Sequence, residues 1–255
     1  MKPRLGVFKF ASCDGCQLQI LNAEDALLDL ASVVEIAWFP EARSQQSPGP
    51  YDIGLVEGSI TTPHDVERLR EIRQQVGFLV AIGACATSGG IQALRNRADV
   101  GEYARTVYPK PEWLSTLPCS TPIAAHVPVD FELPGCPIDK RQLLGVLRAL
   151  LFGTRPQLPT HSVCLDCKRS GAACVIVSRG EPCLGPVTST GCGAICPRMG
   201  RGCYGCFGPA AGANLAALVA LLDAQGCSRA DTVRRLRGFT ANAPAFREAS
   251  DAIEG

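Results

Sequence analysis

The chain has 255 residues, of which 46% are hydrophobic, enough to bury a sizeable core in one large or two smaller domains. Its 25 basic and 24 acidic side chains leave a net charge of +1 with no long run of one sign, so neither nucleic acid nor an anionic membrane is an expected partner. Fourteen cysteines are far above ordinary usage. Residues 1–10 lead almost directly into a strand-like run, with no apolar signal segment and no twin-arginine motif. The longest apolar helical run, residues 215–222, is well short of the roughly 20 residues that cross a bilayer. The expectation is a cytoplasmic chain without membrane insertion. Disulfides do not persist there, so the cysteines point to metal ligation over a secreted disulfide scaffold.

In chain order, residues 5–10 read as a strand, followed by a Cys/Gly loop and a helix over residues 17–30 with Leu18, Leu21, Leu28 and Leu30 as its apolar positions. Residues 33–38 and 52–56 are two more strands, residues 63–75 an amphipathic helix, and residues 77–82 a fourth strand. Residues 124–129 are read as the fifth strand and residues 138–152 as a helix opening after Pro137. This alternation predicts an α/β domain, a parallel sheet wrapped by helices. Residues 40–50 and 95–122 interrupt it as surface loops or partner-facing insertions. A linker at 154–159 then gives way to a stretch dense in Cys, Gly and Pro. Two domains are expected, 1–158 and 159–255. The second shows little apolar periodicity before residues 214–222 and is expected to be loop-rich, with metals serving as its core.

Cys13 and Cys16 follow the first strand, Cys85 the fourth and Cys136 the fifth, so four thiols from scattered positions converge at the carboxyl end of the sheet, where open parallel sheets hold their ligands. Gly15, Gly83 and Gly135 beside them let backbone amides approach a ligand closely. Zinc accepts four thiolates as well, but it favours paired local Cys-x2-Cys hairpins over three separate loops, so the spacing favours an iron-sulfur cluster.

In order along the chain, Cys13-x2-Cys16, the stretch Glu57-Gly58-Ser59-Ile60, Gly83-x-Cys85-x4-Gly90 and Pro134-Gly135-Cys136-Pro137 resemble the small subunits of nickel-iron hydrogenases. A similar set occurs in a cluster-binding subunit of respiratory NADH:quinone oxidoreductase, so this half alone identifies the superfamily. The resemblance implies a flavodoxin-like domain with the proximal 4Fe-4S cluster on Cys13, Cys16, Cys85 and Cys136. It also implies a catalytic nickel-iron large subunit facing that cluster.

Eight further cysteines follow, Cys164, Cys167, Cys174 and Cys183, then Cys192, Cys196, Cys203 and Cys206, enough for two more 4Fe-4S clusters. The respiratory-type subunit normally lacks this extension, so its presence selects the hydrogenase. The family's membrane-associated members start the distal cluster with a histidine and place a proline at the medial one. Here Cys164 replaces that histidine and Cys196 supplies a fourth medial thiolate, as in cytoplasmic hydrogenases. The resemblance thus assigns Cys164, Cys167, Cys174 and Cys183 as distal ligands and Cys192, Cys196, Cys203 and Cys206 as medial, with exchange between the sets left open. His161 is the alternative to Cys164; His64 and His126 read as ordinary polar residues. Cys119 and Cys227 read as packing residues. Asp14 and Glu57 stand near the proximal thiols, where a carboxylate tunes a potential or passes protons, and for Asp14 ordinary loop hydrogen bonding serves equally.

The function so implied is electron relay, through three 4Fe-4S clusters, between a hydrogenase large subunit and a further redox subunit of flavin, NAD(P) or ferredoxin type at the distal cluster. No catalytic residue is expected in this chain, which carries no Walker loop, dinucleotide fingerprint or hydrolase triad signature. The alternatives are a cluster subunit of a respiratory-type quinone oxidoreductase and a zinc-stabilised interaction module.

Overall fold

The computed structural model describes residues 2–255, which form two compact units, one ending at Pro156 and one spanning Gln157–Gly255. Met1, the start of the N-terminal run, lies outside the described residues.

In the first unit the chain runs β1 (Arg4–Lys9), α1 (Gly15–Leu21), α2 (Asp25–Val33), β2 (Glu35–Trp38), β3 (Tyr51–Glu57), α3 (Pro63–Gln75), β4 (Val76–Ile82), α4 (Gly83–Ser88), α5 (Val100–Val107), β5 (Phe131–Leu133) and α6 (Lys140–Leu151). All five strands are parallel in the order β2-β1-β3-β4-β5, which is the flavodoxin-like order. Leu55, Val56, Leu79, Val80, Ala81 and Ile82 are buried, as expected of central parallel strands covered on both faces. Phe8, Phe10, Ile60, Leu69 and Ile72 pack with Val56, Leu79 and Ala81 into the core of one face, where truncating a buried leucine such as Leu69 costs about 2–5 kcal/mol. α3 keeps its expected bounds because both ends are specified. Thr62 Oγ1 accepts from Asp65 N at 3.1 Å, Asp65 Oδ2 in turn accepts from Thr62 N at 2.9 Å, and Pro63 presets the first turn.

Two expectations fail here. The single helix over residues 17–30 is two helices, α1 and α2, with Glu24 between them at φ 51°. On one straight helix Leu28 and Leu30 would point about 200° apart, so no single face could bury both. The structure buries Leu30 and leaves Leu28 70% exposed. The fifth strand is likewise not at residues 124–129: Ile123–Ala125 is a 3-10 turn, and β5 begins at Phe131. Pro128 has no N–H to give to a ladder. Asp130 then fastens the chain to β4, accepting from Leu79 N at 2.7 Å and donating its own N–H to Leu79 O at 3.0 Å.

The second unit comprises α7 (Val163–Arg169), α8 (Val175–Arg179), α9 (Ile195–Arg198), α10 (Leu215–Ala224), α11 (Arg229–Leu236) and α12 (Pro244–Glu254). It packs more than expected. Leu184, Val187, Leu218, Leu222, Leu236 and Phe246 form an apolar cluster, so its carboxyl-terminal half has a side-chain core. The cysteine-dense half is different, because Cys183 and Cys203 are themselves core residues beside Val163, Val175, Ile176 and Ala194. No helix among the described residues is long and apolar enough to cross a membrane.

Candidate functional site

The segments after β1, β4 and β5 bring Cys13, Cys16, Cys85 and Cys136 to the carboxyl edge of the sheet, Cys16 on α1 and Cys85 on α4, and Glu57 ends β3 beside them. Asp14, at φ 66°, turns the chain from β1 into α1. Cys16 N donates to Glu57 Oε1 at 3.0 Å and Gln17 Nε2 donates to Oε2 at 2.9 Å, so both carboxylate oxygens of this buried side chain are occupied. Burial is the largest influence on Glu57 and raises its pKa above the ordinary glutamate value, against the lowering effect of those two bonds. Asp14 is tied to Lys9 Nζ at 2.6 Å and accepts from Ser12 Oγ at 3.1 Å, the hydrogen bonding of an ordinary loop carboxylate.

Around the thiols the backbone leaves room. Gly83 has φ +86°, and a Cβ there would lie 2.4 Å from Cys16 Sγ; one at Gly90 would lie 2.6 Å from Cys85 Sγ. Ala84 N donates to Gly135 O at 2.7 Å, joining the loops that carry Cys85 and Cys136. Gln92 links two loops as well: its Nε2 donates to Ala11 O at 2.8 Å, and its Oε1 lies 3.4 Å from Cys85 Sγ. Sequence reasoning missed Gln17 and Gln92. A signal existed for Gln17, a polar residue directly after a ligand candidate in a short helix, whereas nothing in the sequence of residues 91–97 marked Gln92.

Burial raises the pKa of Cys16 above the usual thiol range, with further increments from Glu57, Cys85 and Cys136. Burial also pushes Cys85 up to about 11, with Cys136 and Cys13 adding to it, and raises Cys136, to which Cys13 contributes. The four thiols therefore sense one another as a set. Such a set is poorly ionised alone, and a cationic centre among the sulfurs would reverse that balance, since a coordinating thiol loses its proton. An all-thiol donor set, mutual proximity and glycine-cleared space together fit an iron-sulfur cluster.

In the second unit, Cys164 and Cys167 lie on α7, Cys174 immediately precedes α8, and Cys183 is buried. Burial pushes Cys164 up to about 11, with Cys183, Cys167 and Cys174 adding and Lys168 opposing. Burial raises Cys167 also, with help from Cys174 and Cys183. Cys196 lies on α9, and Cys192 and Cys183 add to the rise that burial gives it. Cys203 is pushed up to about 12, first by burial and then by Cys183 and Cys192, against the Gly205 amide. The amides of Cys203 and Gly185 donate to Cys183 Sγ at 3.1 and 3.4 Å, and Gly205 N donates to Cys203 Sγ at 3.5 Å. Cys183 thus neighbours both sets. Cys206, half-buried, follows Cys203 by three residues. His161 Nε2 lies 3.2 Å from Asp166 Oδ1, and Asp166 also accepts from the Thr190 hydroxyl. Cys119 is exposed on its loop; Cys227 is half-buried and accepts from Thr232 Oγ1 at 3.6 Å.

Comparison with known proteins places this geometry in context. The sequence profile of the NADH ubiquinone oxidoreductase, 20 Kd subunit, matches residues 13–150. The chain is 39% identical over 236 residues to sulfhydrogenase 2 subunit delta of Pyrococcus furiosus, covering 92% of this chain and 98% of that one. It is 31% identical over 271 residues to a subunit of the vhu F420-non-reducing hydrogenase of Methanocaldococcus jannaschii, covering 93% and 94%. Among solved structures, a chain of an NAD+-reducing [NiFe]-hydrogenase in its H2-reduced state superposes with TM-score 0.58 at 32% identity, over 62% of this chain and 96% of that one.

Proposed function

This chain belongs to the NADH ubiquinone oxidoreductase 20 Kd subunit family, among its hydrogenase subunits, and from that premise we propose that it is the electron-transfer small subunit of a [NiFe] hydrogenase, relaying electrons through three 4Fe-4S clusters. The observation that carries the reading is the convergence of Cys13, Cys16, Cys85 and Cys136 at one sheet edge from three separate loops. The proximal cluster belongs on these four. Cys192, Cys196, Cys203 and Cys206 hold the medial one, and Cys164, Cys167, Cys174 and Cys183 the distal one. The H2-activating nickel-iron site belongs to a large subunit covering the sheet edge, and a flavin, NAD(P) or ferredoxin-type subunit takes electrons at the distal set.

When bound, such clusters accept and release single electrons with little rearrangement, because the charge spreads over several irons and sulfurs. The residues of this chain bind and tune. The amides of Gly185, Cys203 and Gly205 point at the sulfurs of Cys183 and Cys203, and such hydrogen bonds favour the more negative, reduced state. Glu57 fixes the amide of Cys16 and with it the start of α1, while Gly83 and Gly90 keep side chains away from the space beside Cys16 and Cys85. Ile82, the apolar last residue of β4, is fully buried and limits water beneath that edge, which lowers the local dielectric around the site.

The eight later cysteines lie beyond residue 150, where the 20 Kd subunit profile ends, which favours a hydrogenase over a respiratory-type quinone reductase subunit. The test is catalytic. Reconstituted with iron and sulfide, the isolated chain is expected to be reduced by dithionite yet to show no hydrogen-dependent dye reduction until the large subunit is added. Hydrogen uptake by the isolated, nickel-free chain would contradict the assignment. A colourless protein holding only zinc would favour the interaction module instead.

A further inference from the structure

We propose that the face of the C-terminal unit formed by α8 and α9 is a docking surface for an acidic electron-carrier protein that presents carboxylates around its own one-electron redox group. This inference rests on the electron-transfer reading above and adds to it the charge and place of the exit surface.

Charge is the first observation. The chain as a whole is nearly balanced, but residues 157–210 hold five basic side chains, Lys168, Arg169, Arg179, Arg198 and Arg201, against two acidic ones, Asp166 and Glu181. All five basic residues are exposed, whereas Asp166 and Glu181 are half-buried. Asp166, although it feels the charge of Arg169, is already engaged by Thr190 and His161. A partner therefore meets a surplus of positive charge spread over one cysteine-rich stretch. That charge also lies near the thiols, because Lys168 acts on Cys164 and Arg201 on Cys196.

Shape and apolar exposure are the second. A groove of about 530 Å³ separates α8 from α9, with Arg179 on one wall and Arg198 and Met199 on the other. Arg179 Nη1 donates to Gly200 O at 3.1 Å, which holds its guanidinium over the groove end. Between these arginines the lining is apolar: Val175 and Pro197 form its floor, and Met199, 74% exposed, stands at its rim. An apolar centre within a charged rim is the composition of a protein–protein contact, and a small inorganic anion would not need the apolar part. Cys174, which caps α8, is exposed, so one thiol set reaches the surface at this face. An electron leaving there crosses a short distance. Each carrier gains one electron that this chain loses, two carriers per hydrogen molecule oxidised, and the two protons are released to solvent through the partner subunit that splits hydrogen.

Positive exit surface and acidic carrier make association fast and salt-sensitive, with rates that electrostatic steering raises at least tenfold. The test uses the purified complex with its large subunit, an acidic [2Fe-2S] ferredoxin as the protein acceptor, and methyl viologen as the small one. In wild type, hydrogen-driven ferredoxin reduction should fall about tenfold between low salt and roughly 0.3 M salt. The double variant Arg179→Glu with Arg198→Glu should reduce ferredoxin at least tenfold more slowly at low salt while its viologen rate stays near wild type. Arg179→Lys keeps the charge and should keep most of the ferredoxin rate, whereas loss as deep as in the double variant would assign the effect to the Gly200 bond and overturn the proposal. An unchanged ferredoxin rate in the double variant would overturn it too, as would a wild-type complex that reduces viologen but not ferredoxin. Failure of wild type to reduce either acceptor from hydrogen would instead sink the electron-transfer reading.

Discussion

The two units present cysteines in opposite ways. At the sheet edge the thiols hang from the ends of strands whose core on one face, built on Val56, Leu69, Leu79 and Ala81, contains none of them. Between α7 and α9 the thiols replace that core, since Cys183 and Cys203 lie buried among Val163, Val175, Ile176 and Ala194. A parallel sheet buries enough apolar surface to hold a site in place, and a metal there adds function to a finished scaffold. Short helices of seven, five and four residues bury too little to do so, and a metal there becomes part of the folding free energy.

The sharpest way to break this contrast is to strip the iron. With a strong chelator under reducing conditions, amide exchange in α7–α9 should rise by a factor on the order of 100, equivalent to about 3 kcal/mol of local stability, while β3 and β4 stay protected. Helices α10–α12 should lie between, because Leu218, Leu222, Leu236 and Phe246 pack without metal but against Leu184 and Val187 from the cysteine-dense stretch. Equal loss of protection in both units would remove the distinction.

Within the second unit, Cys196→Pro should cost one thiolate and convert the medial 4Fe-4S cluster to a 3Fe-4S cluster of higher potential. Electron paramagnetic resonance of the oxidised variant should reveal the new signal. Its absence, with the cluster otherwise retained, would show that Cys196 is not a medial ligand.

Glu57 probes the first unit. A carboxylate beside the proximal site opposes an added electron only when ionised, and burial raises its pKa above the glutamate value. Going up in pH, the proximal potential of wild type should therefore fall as Glu57 ionises. Glu57→Gln should hold the potential at the higher, low-pH level throughout, although its amide would face Gln17 Nε2 donor to donor and force one of the two to rotate. Potentiometry of both proteins, run upward in pH from the ordinary glutamate range, separates these outcomes, and parallel pH curves would deny Glu57 any electrostatic role.

How much of this was legible in the sequence depended on whether local pattern and tertiary demand agreed. Residues 63–75 carried cap, proline and apolar spacing together, and the helix stands where expected. The ligand loops were legible for a similar reason, because a Cys/Gly turn after an apolar run marks the carboxyl end of a strand. β5 was not, since its three residues, one of them exposed, owe their place to Asp130 and β4 and carry no alternation of their own. The break at Glu24 was hidden because leucines spread over residues 17–30 read as one helix, although Leu18 and Leu28 are exposed. In the second unit α11 escaped notice with only Val233 and Leu236 as aliphatic anchors among arginines. The pairing of Glu57 with Gln17 and the reach of Gln92 to Ala11 join residues far apart in the chain, and no local pattern encodes them.

The smallest expected effects belong to the two cysteines outside the twelve. Cys119→Ala, at an exposed position, should change stability by no more than about 0.5 kcal/mol, and Cys227→Ala, half-buried beside Thr232, by about 1 kcal/mol. Neither should alter iron content or hydrogenase activity in the assembled complex. Loss of one cluster's iron from either variant would redraw the partition of ligands.

The central claim, that the two differently built units together hold three four-thiolate clusters, is tested most directly by anaerobic iron and acid-labile sulfide analysis of the intact protein. The account predicts about twelve irons and about twelve sulfides per chain, with zinc substoichiometric. About four irons per chain, in protein that is otherwise folded and fully occupied at the sheet edge, would contradict the assignment of the eight cysteines in the second unit.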